Sequence, residues 1–308
     1  MTALGIDIGG TKTHLRFYDP AGAARDLVLP SAEWRLRDWD KDAVALLGIA
    51  QNFAGDIAAL AVGAHGCDDA AECEAFQAAF ARHAKFPVTV VNDAELLPAA
   101  LGYEHQIGLV AGTGSIAVCR DAKVGMLVAG GWGWVIGDEG SASGLMREAA
   151  RTISLHLDSG GSMAEPLVEL MFEALSIPSA ARIGSVVARQ GGAAALGKHA
   201  PVLFEAERRG SLLARQVIRD GARHLADLVA RLKRNGAEAD VVVAGGGVIV
   251  AQQSLANAFL DEISRRYGGA MTARIYTGPP VEGACRLAAK LAGHAEPPAA
   301  IGRPAVSS

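Results

Sequence analysis

The chain has 308 residues, of which half are apolar and one fifth are charged, and its formal net charge is −4. This length is enough for about two domains, each with its own hydrophobic core. The balance of charge gives no basic footprint for nucleic acid or for a membrane surface. No apolar run reaches the roughly 18 residues of a membrane span. We therefore expect a globular protein that binds small molecules, without nucleic-acid or membrane partners.

The cysteines and the N-terminus indicate a reducing compartment. The four cysteines form no C-x-x-C pair, and they are Cys67, Cys73, Cys119 and Cys285. This spacing indicates neither a zinc site nor a disulfide framework. The N-terminus leads directly into an apolar strand pattern, without the charged head and cleavage site of a signal peptide. We expect a cytoplasmic protein.

The first stretch with chemical content is residues 4–13, LGIDIGGTKT. Two isoleucines flank Asp7 in a buried-strand pattern, where a carboxylate is costly without a partner. The glycines that follow let backbone N–H groups approach an anion. We predict a phosphate-binding turn with Asp7 attracting magnesium; a tight hairpin with a satisfied aspartate is the alternative. The stretch is not a P-loop, because Thr11 stands where the lysine should be and a strand pattern follows.

The rest of the first half alternates strands and helices. The pattern predicts strands at 3–8, 14–19, 24–29, 57–62 and 88–91, and helices at 40–53, with Asp40 as N-cap, and at 70–84. Residues 31–40 are polar, contain two tryptophans, and predict an exposed loop of the kind that often carries specificity.

The strand at 88–91 leads into residues 92–95, NDAE. Ligands of open α/β sheets gather beyond the carboxyl ends of the strands, so Asp93 is well placed to meet a substrate. Asp93 could equally be a helix N-cap, and Glu95 a first-turn acid that interacts with the helix dipole.

A second run of strands repeats this order at 107–111, 116–120 and 124–128. Its first strand ends in a turn at 112–115, GTGS. The weak internal repeat predicts two similar domains that face each other across a cleft. The turn also resembles the Rossmann fingerprint, which requires a helix directly afterwards; residues 115–119 have a strand pattern, so we reject that interpretation.

Residues 130–141, GGWGWVIGDEGS, contain five glycines, two tryptophans and two acids. Tryptophan faces stack on sugar rings, while acids and backbone groups bind hydroxyls. We predict ligand contact for this loop, with a purely structural turn as the alternative.

The remaining pattern predicts helices at 143–157, across 161–232, at 255–267 and after Pro280, with strands at 240–244 and 273–276. The strand at 240–244 runs into three glycines, where a nucleobase could lie against bare backbone. A crowded strand-to-helix turn is the alternative. The Pro-, Ala- and Ser-rich residues 295–308 predict a flexible tail without function.

Together these motifs resemble the sugar kinase/Hsp70/actin superfamily. Residues 6–13 resemble its first phosphate motif, 112–115 its second, and 244–248 its adenosine motif. In combination with residues 92–94 and the 130–141 loop, the chain resembles the N-acetylglucosamine kinase branch of the BadF/BadG/BcrA/BcrD ATPase family. Residues 280–284, P-x-x-G-A, also fit that family's C-terminal motif.

The resemblance implies an α/β fold with two ribonuclease-H-like (actin-like ATPase) domains around a central nucleotide cleft. We place the first domain at 1–103 and the second, with a helical insertion, at 104–294. The implied activity is phosphorylation of an amino sugar, N-acetylglucosamine or glucosamine, at its 6-hydroxyl, with ATP and Mg²⁺. We also expect a homodimer.

The resemblance further implies a role for each motif. Asp93 falls on the family's catalytic base, which accepts the proton of the attacking sugar hydroxyl. Asp7 would organise Mg²⁺ through water. The residues expected at ATP are Gly10, Thr11, Lys12, Thr13, Thr113, Gly114, Gly221, Gly246 and Gly247. Those expected at the sugar are Glu33, Asp93, Thr113, Gly131, Trp132 and Asp138.

Two positions depart from the N-acetylglucosamine kinases. The early substrate loop at 31–34 has no asparagine, and Ile116 stands where the vertebrate enzyme has a polar residue. We hypothesise that Glu33 faces the C2 substituent of the sugar and favours a free amine over an acetamide.

Two other functions remain open on this scaffold. One is an ATPase that activates 2-hydroxyacyl-CoA dehydratases, whose cysteines bridge an iron–sulfur cluster between subunits. The other is a non-catalytic sugar sensor. The cysteine spacing argues against the first function, and the presence of Asp93 argues against the second.

Overall fold

The computed structural model describes residues 1–19, 21–295 and 297. The first sheet consists of β1 (Thr2–Ile8), β2 (Lys12–Tyr18), β3 (Ala24–Pro30), β4 (Ile57–Ala64) and β5 (Val88–Asn92). The second consists of β6 (Ile107–Ala111), β7 (Ser115–Asp121), β8 (Gly125–Gly130), β9 (Val241–Gly245) and β10 (Thr272–Ile275). Their strand orders are β3-β2-β1-β4-β5 and β8-β7-β6-β9-β10, so the two sheets have the same topology. The internal repeat predicted from the sequence is confirmed.

Helices connect and cover these sheets. The first half contains α1 (Trp39–Ala54), α2 (Ala70–His83) and α3 (Leu96–Ala100). The second half contains α4 (Ala142–Asp158), α5 (Pro166–Ala174), α6 (Ile183–Ala188), α7 (Ala193–Gly197), α8 (Pro201–Arg208) and α9 (Leu212–Arg234). The chain then forms α10 (Gly247–Ala251), α11 (Gln253–Tyr267) and α12 (Val281–Ala292). Short 3₁₀ turns lie at Ser31–Glu33, Asp93–Glu95, Ala180–Arg182 and Gly268–Ala270. This architecture confirms the predicted α/β class with two domains, which we name the first and second domain after their sheets.

Strand pairing brings three strand ends together at one edge of the first sheet. The strand β1 is antiparallel to β2 and parallel to β4, which is parallel to β5. Ile8 pairs with Ala64, and Ala64 pairs with Asn92. The residues that follow β1, β4 and β5 therefore lie side by side, beyond the carboxyl ends of parallel strands.

Each sheet has its own hydrophobic core. In the first domain β4 is buried along almost its whole length, as expected for a parallel strand covered on both faces. Phe76 and Phe80 of α2 fill the space beneath it, with their ring centroids 4.8 Å apart. In the second domain Leu225 of α9 and Phe259 of α11 are fully buried in the corresponding core. These two cores hold the strand ends in place.

The last helix, α12, packs on the first sheet. A Cβ on Gly5 of β1 would lie 2.4 Å from the backbone nitrogen of Cys285, and a Cβ on Gly283 would lie 2.1 Å from the carbonyl oxygen of Leu96. Only glycine permits such close approaches. The helix α12 thus packs on the first sheet, whereas the boundary expected from the sequence assigns all of 104–294 to the second domain.

The segment before α1 differs from its sequence-based prediction. Asp38, and not Asp40, is the N-cap, because its side chain accepts a hydrogen bond from the backbone N–H of Lys41 at 3.2 Å. The preceding loop is also less exposed than expected, since Ser31 and Trp34 are buried. The loop is therefore fixed to the first domain.

Two remaining observations concern the chain as a whole. Among residues 1–19, 21–295 and 297, no helix combines the length and apolar character needed to cross a membrane. The predicted flexible tail at 295–308 falls, except for residues 295 and 297, outside the described residues.

Candidate active site

Two acidic side chains lie at the carboxyl edge of the first sheet. Asp7 belongs to β1, and Asp93 begins the 3₁₀ turn that directly follows β5. Burial, and then the charge of Asp93, raise the pKa of Asp7 to about 7. Burial is also the main cause that raises the pKa of Asp93, whose side chain is 17% exposed. Paired carboxylates of this kind are destabilised when both are charged, which suits a cation site next to a base.

The turn that carries Asp93 is capped by its neighbour. The Oδ1 atom of Asn92 accepts the backbone N–H of Ala94 at 2.9 Å, and Oε1 of Glu95 accepts the backbone N–H of Asn92 at 3.0 Å. This pair of bonds is a capping box. The alternative that Asp93 is the N-cap is therefore wrong, and its carboxylate is left beside the cleft.

His65 is a site residue that the sequence analysis did not single out. Its Nδ1 atom lies 3.9 Å from Oδ2 of Asp93, and its ring atoms Cδ2 and Nε2 lie 3.6 Å from the position of a Cβ on Gly10. Its backbone N–H donates to Ile8 O at 2.9 Å, and Arg35 Nη2 donates to its carbonyl at 2.7 Å. The imidazole thus reaches both the first glycine turn and Asp93. The feature of the sequence that could have identified His65 is its position immediately after the buried strand β4.

The first glycine turn joins β1 to β2, as the strand–turn–strand pattern predicted. The backbone N–H of Gly9 donates to Lys12 O at 2.9 Å, which closes the turn. Gly10, Thr11 and Lys12 are exposed at its tip. Their backbone and side-chain donors are accessible to an anion.

Thr13 is placed differently from its neighbours. It is fully buried, and its hydroxyl accepts from Nε1 of Trp34 at 3.1 Å and lies 3.0 Å from Oγ of Ser31. The Ser31 hydroxyl also donates to Gly9 O at 2.9 Å. The Thr13 side chain therefore anchors the loop that bears Glu33, and this anchoring replaces the expected contact of its hydroxyl with phosphate.

Glu33 lies at the exposed end of the 3₁₀ turn Ser31–Glu33. Two residues later, Arg35 is bound to the His65 carbonyl. Burial lowers the pKa of Arg35, and the charge of Asp93 opposes this shift. The loop with Glu33 therefore reaches the same edge of the sheet as Asp93.

A buried acidic side chain packs against the second glycine turn, between β6 and β7. Thr113 is exposed, while a Cβ on Gly114 would lie 2.8 Å from Oδ2 of Asp138. The backbone N–H of Ser115 donates to Oδ1 of Asp138 at 3.3 Å, and burial raises the pKa of Asp138. The backbone N–H of Gly131 donates to Ser115 O at 2.9 Å. The second glycine turn, the Asp138 side chain and the glycine-rich loop at 130–141 thus form one cluster.

The glycine-rich loop at 130–141 exposes large apolar side chains. Trp132, Val135 and Ile136 are 72%, 68% and 76% exposed. Arg147 of α4 donates to two backbone carbonyl groups of the loop, which fixes its path. A fixed loop with an exposed indole is suited to stacking on a ligand face.

The third glycine motif lies against the second turn. Gly246 has φ +106°, and a Cβ there would lie 2.6 Å from Ala111 O. A Cβ on Gly112 would lie 3.6 Å from the backbone nitrogen of Gly247, which itself faces open space. The backbones of the two motifs are therefore in contact, beside a space that a flat ligand could enter.

Gly221 is not at this surface. It is buried in α9, where a Cβ would lie 2.7 Å from Cδ2 of Leu145 and 3.3 Å from Cα of Gly140. Its environment is that of a helix-packing glycine, and its expected contact with the nucleotide stays a prediction.

The two halves of the site meet at the turn that carries Asp93. Ala94 packs with Ile116 and Val118 of β7, directly after the second glycine turn. Asp93 directly precedes Ala94 and lies at the carboxyl edge of the first sheet, together with Asp7. The arrangement therefore fits a magnesium nucleotide, since Mg²⁺ is usually held by one or two carboxylates together with water and phosphate oxygens.

Comparison with known proteins identifies the family. The model of the BadF/BadG/BcrA/BcrD ATPase family matches residues 4–288. The chain belongs to this family. The match extends from β1 into α12 and thus includes all three glycine motifs and Asp93. No curated protein sequence matches the chain significantly.

Solved structures share the fold of this family member. A protein from Chromobacterium violaceum, provisionally named an N-acetylglucosamine kinase, has a TM-score of 0.65 at 23% identity, over 92% of this chain and 98% of that one. A protein of the same provisional name from Porphyromonas gingivalis has a TM-score of 0.64 at 20% identity, over 92% and 96%. A ROK family glucokinase from Streptomyces griseus, solved with glucose and AMPPNP, has a TM-score of 0.54 at 19% identity, over 94% and 99%. The fold is therefore that of two-domain sugar kinases.

Proposed function

We propose that this BadF/BadG/BcrA/BcrD family member is an ATP-dependent kinase that phosphorylates an amino sugar, N-acetylglucosamine or glucosamine, at its 6-hydroxyl. The placement of Asp93 carries the proposal. Its carboxylate lies beyond the end of β5, next to Asp7, and beside an imidazole that also reaches Gly10. A carboxylate there can accept the proton of a hydroxyl that attacks the γ-phosphorus of ATP.

The glycine turns supply the positioning on which phosphoryl transfer mainly depends. The first turn offers the exposed donors Gly10, Thr11 and Lys12, and the second offers Thr113 and the backbone of Gly114. Magnesium, bound through water by Asp7, would neutralise charge that develops on the phosphates. Asp93 would act as the general base, a role worth about 10²- to 10⁴-fold in rate.

The sugar and the nucleoside would occupy opposite ends of the cleft. In this proposal the sugar contacts Asp93 together with Glu33, Thr113, Gly131, Trp132 and Asp138. The buried Asp138 and the exposed Trp132 offer it a hydroxyl acceptor and a stacking face. The nucleoside lies on Gly246 and Gly247, where the backbone is bare on one side.

The cysteines do not favour the dehydratase-activator alternative. All four are free and buried within the chain. A cluster that bridges two subunits needs thiolates at the surface of each subunit.

The proposal is tested by ADP release from MgATP with a panel of hexoses and amino sugars, and by ³¹P NMR of the product. We expect the highest kcat/KM for glucosamine or N-acetylglucosamine, a 6-phosphate product, and no turnover when EDTA removes the magnesium. ADP release that no sugar stimulates would overturn the kinase proposal.

A further inference from the structure

The turn that carries Asp93 is also held by the second domain. Arg120 of β7 forms a two-pronged ion pair with Glu95 in that turn: Nε lies 2.8 Å from Oε2, and Nη2 lies 2.9 Å from Oε1. The Glu95 side chain is only 11% exposed. Such planar, bidentate pairs are strongly directional, and lysine cannot replace arginine in them.

The same carboxylate fixes the backbone on either side of Asp93. Both carboxylate oxygens of Glu95 accept from Arg120, and Oε1 also accepts the backbone N–H of Asn92 at 3.0 Å. The Asn92 side chain in turn accepts the N–H of Ala94 at 2.9 Å. Asp93 lies between two residues whose positions depend on Glu95.

A close backbone contact presses this turn onto the second sheet. A Cβ on Gly108 of β6 would lie 1.9 Å from Ala94 O, so only glycine fits there. Ala94 also packs with Ile116 and Val118. The turn is thus attached to β6 and β7 of the second domain, although its strand belongs to the first domain.

We propose that Glu95 and Arg120 are positioning residues that tie the Asp93 turn to the second domain. The pair fixes the turn that carries the proton acceptor relative to β7 and so to the second domain. The effect on catalysis rests on the proposed kinase function, whereas the effect on the rigidity of the turn does not.

Kinetic measurements on Glu95→Ala, Glu95→Gln and Arg120→Met test the pair. We expect Glu95→Ala and Arg120→Met to lower kcat by about 10- to 100-fold, with the KM for ATP changed by less than about twofold, because misplacement of the base affects the chemical step. Glu95→Gln retains an acceptor for the Asn92 N–H and should keep more activity. The double variant should be no worse than either single variant, since the two side chains act as one unit.

Glu282→Gln is a matched control. The Glu282 side chain is 24% exposed, accepts from Arg16 at 3.0 Å and from Tyr276 at 2.6 Å, and so also links distant parts of the chain. It does not belong to the Asp93 turn. We expect this variant to lower Tm while kcat stays at the wild-type value.

Hydrogen–deuterium exchange gives a measurement that does not depend on activity. We expect the amides of residues 92–96 to exchange faster in Glu95→Ala than in the wild type, while those of β1 are unchanged. A wild type that phosphorylates no sugar would refute the proposed function, and exchange alone would then decide the role of the pair. Unchanged exchange in this turn, or a wild-type kcat in folded Glu95→Ala, would overturn the inference.

Discussion

Asp7 and Asp93 are both less easily ionised than free aspartates. Burial raises the pKa of both, and the charge of Asp93 adds to the shift of Asp7. The opposing cations are Lys12, which lowers the pKa of Asp7, and His65, which lowers that of Asp93. A base with a raised pKa is a stronger proton acceptor, so these raised pKa values are useful in a site that transfers a proton.

The first prediction concerns stability and pH. The pKa of Asp7 is about 7 in the folded state, against 3.8 without the protein's influence. The folded state therefore binds the Asp7 proton more tightly than the unfolded state does. This stabilisation is fully present below about pH 4, and the free energy of unfolding falls by up to about 4 kcal/mol as the pH rises to about 7. Asp7→Asn should gain stability relative to the wild type over this interval. Urea unfolding of both ligand-free proteins measures it, and a difference that is independent of pH would contradict it.

The second prediction concerns sugar selectivity. If Glu33 faces a free amine at C2, Glu33→Gln should lower the ratio of kcat/KM for glucosamine over N-acetylglucosamine by about fivefold, the worth of an exposed ion pair. Glu169→Gln, an exposed acid on α5, is the control. An unchanged ratio in Glu33→Gln would remove this role.

Residue-level prediction from the sequence is possible where a residue follows a recognisable pattern. Asp93 was singled out because it follows a buried strand and matches a motif. His65 was missed because a single histidine after a strand has no spacing signature, and its partners are distant in the chain. The motif predicts Thr13 as a phosphate ligand, but its alternation with buried Leu15 places both side chains in the interior.

The glycine turns explain the site at the level of elements. In each domain the central strand ends in a turn before an antiparallel strand, and in each the turn exposes its donors. The loop after β8 then adds the exposed indole of Trp132 on a backbone fixed by Arg147. Stacking on the face of the sugar is expected from this loop.

The third prediction therefore concerns Trp132. Trp132→Ala should raise the KM for the sugar by about tenfold through lost stacking, with the KM for ATP unchanged. Val135→Ala is the matched control, since Val135 is similarly exposed in the same loop. Steady-state kinetics of both variants measure it. An equal change in both variants would mean that the loop, and not the indole, is responsible.

Periodicity predicted which segments are strands and helices better than it predicted what they pack against. The amphipathic pattern of α12 indicates a buried face but does not specify the first sheet as its partner. Gly5 and Gly283, where backbones approach closely, were the local signals of this packing. Gly221 also packs closely, against Leu145 and Gly140, and the sequence does not distinguish a packing glycine from a binding one.

At the scale of the whole molecule, each of two sheets of equal topology ends its central strand in a glycine turn, and the 3₁₀ turn with Asp93 packs against the second sheet. The repeat of strand patterns made the two domains predictable. Their relative placement depends on contacts between residues far apart in sequence, such as Arg120 with Glu95. No local pattern encodes such contacts.

The most direct test of the account compares the wild type with Asp93→Asn. ATP affinity is measured by calorimetry, and sugar-dependent ADP release is measured with the best acceptor of the sugar panel. The account predicts an ATP affinity within about threefold of the wild type and a kcat lowered by at least about 100-fold, because the variant keeps the nucleotide site and loses the proton acceptor. A variant that turns over at the wild-type rate would contradict the assignment of Asp93 as the base.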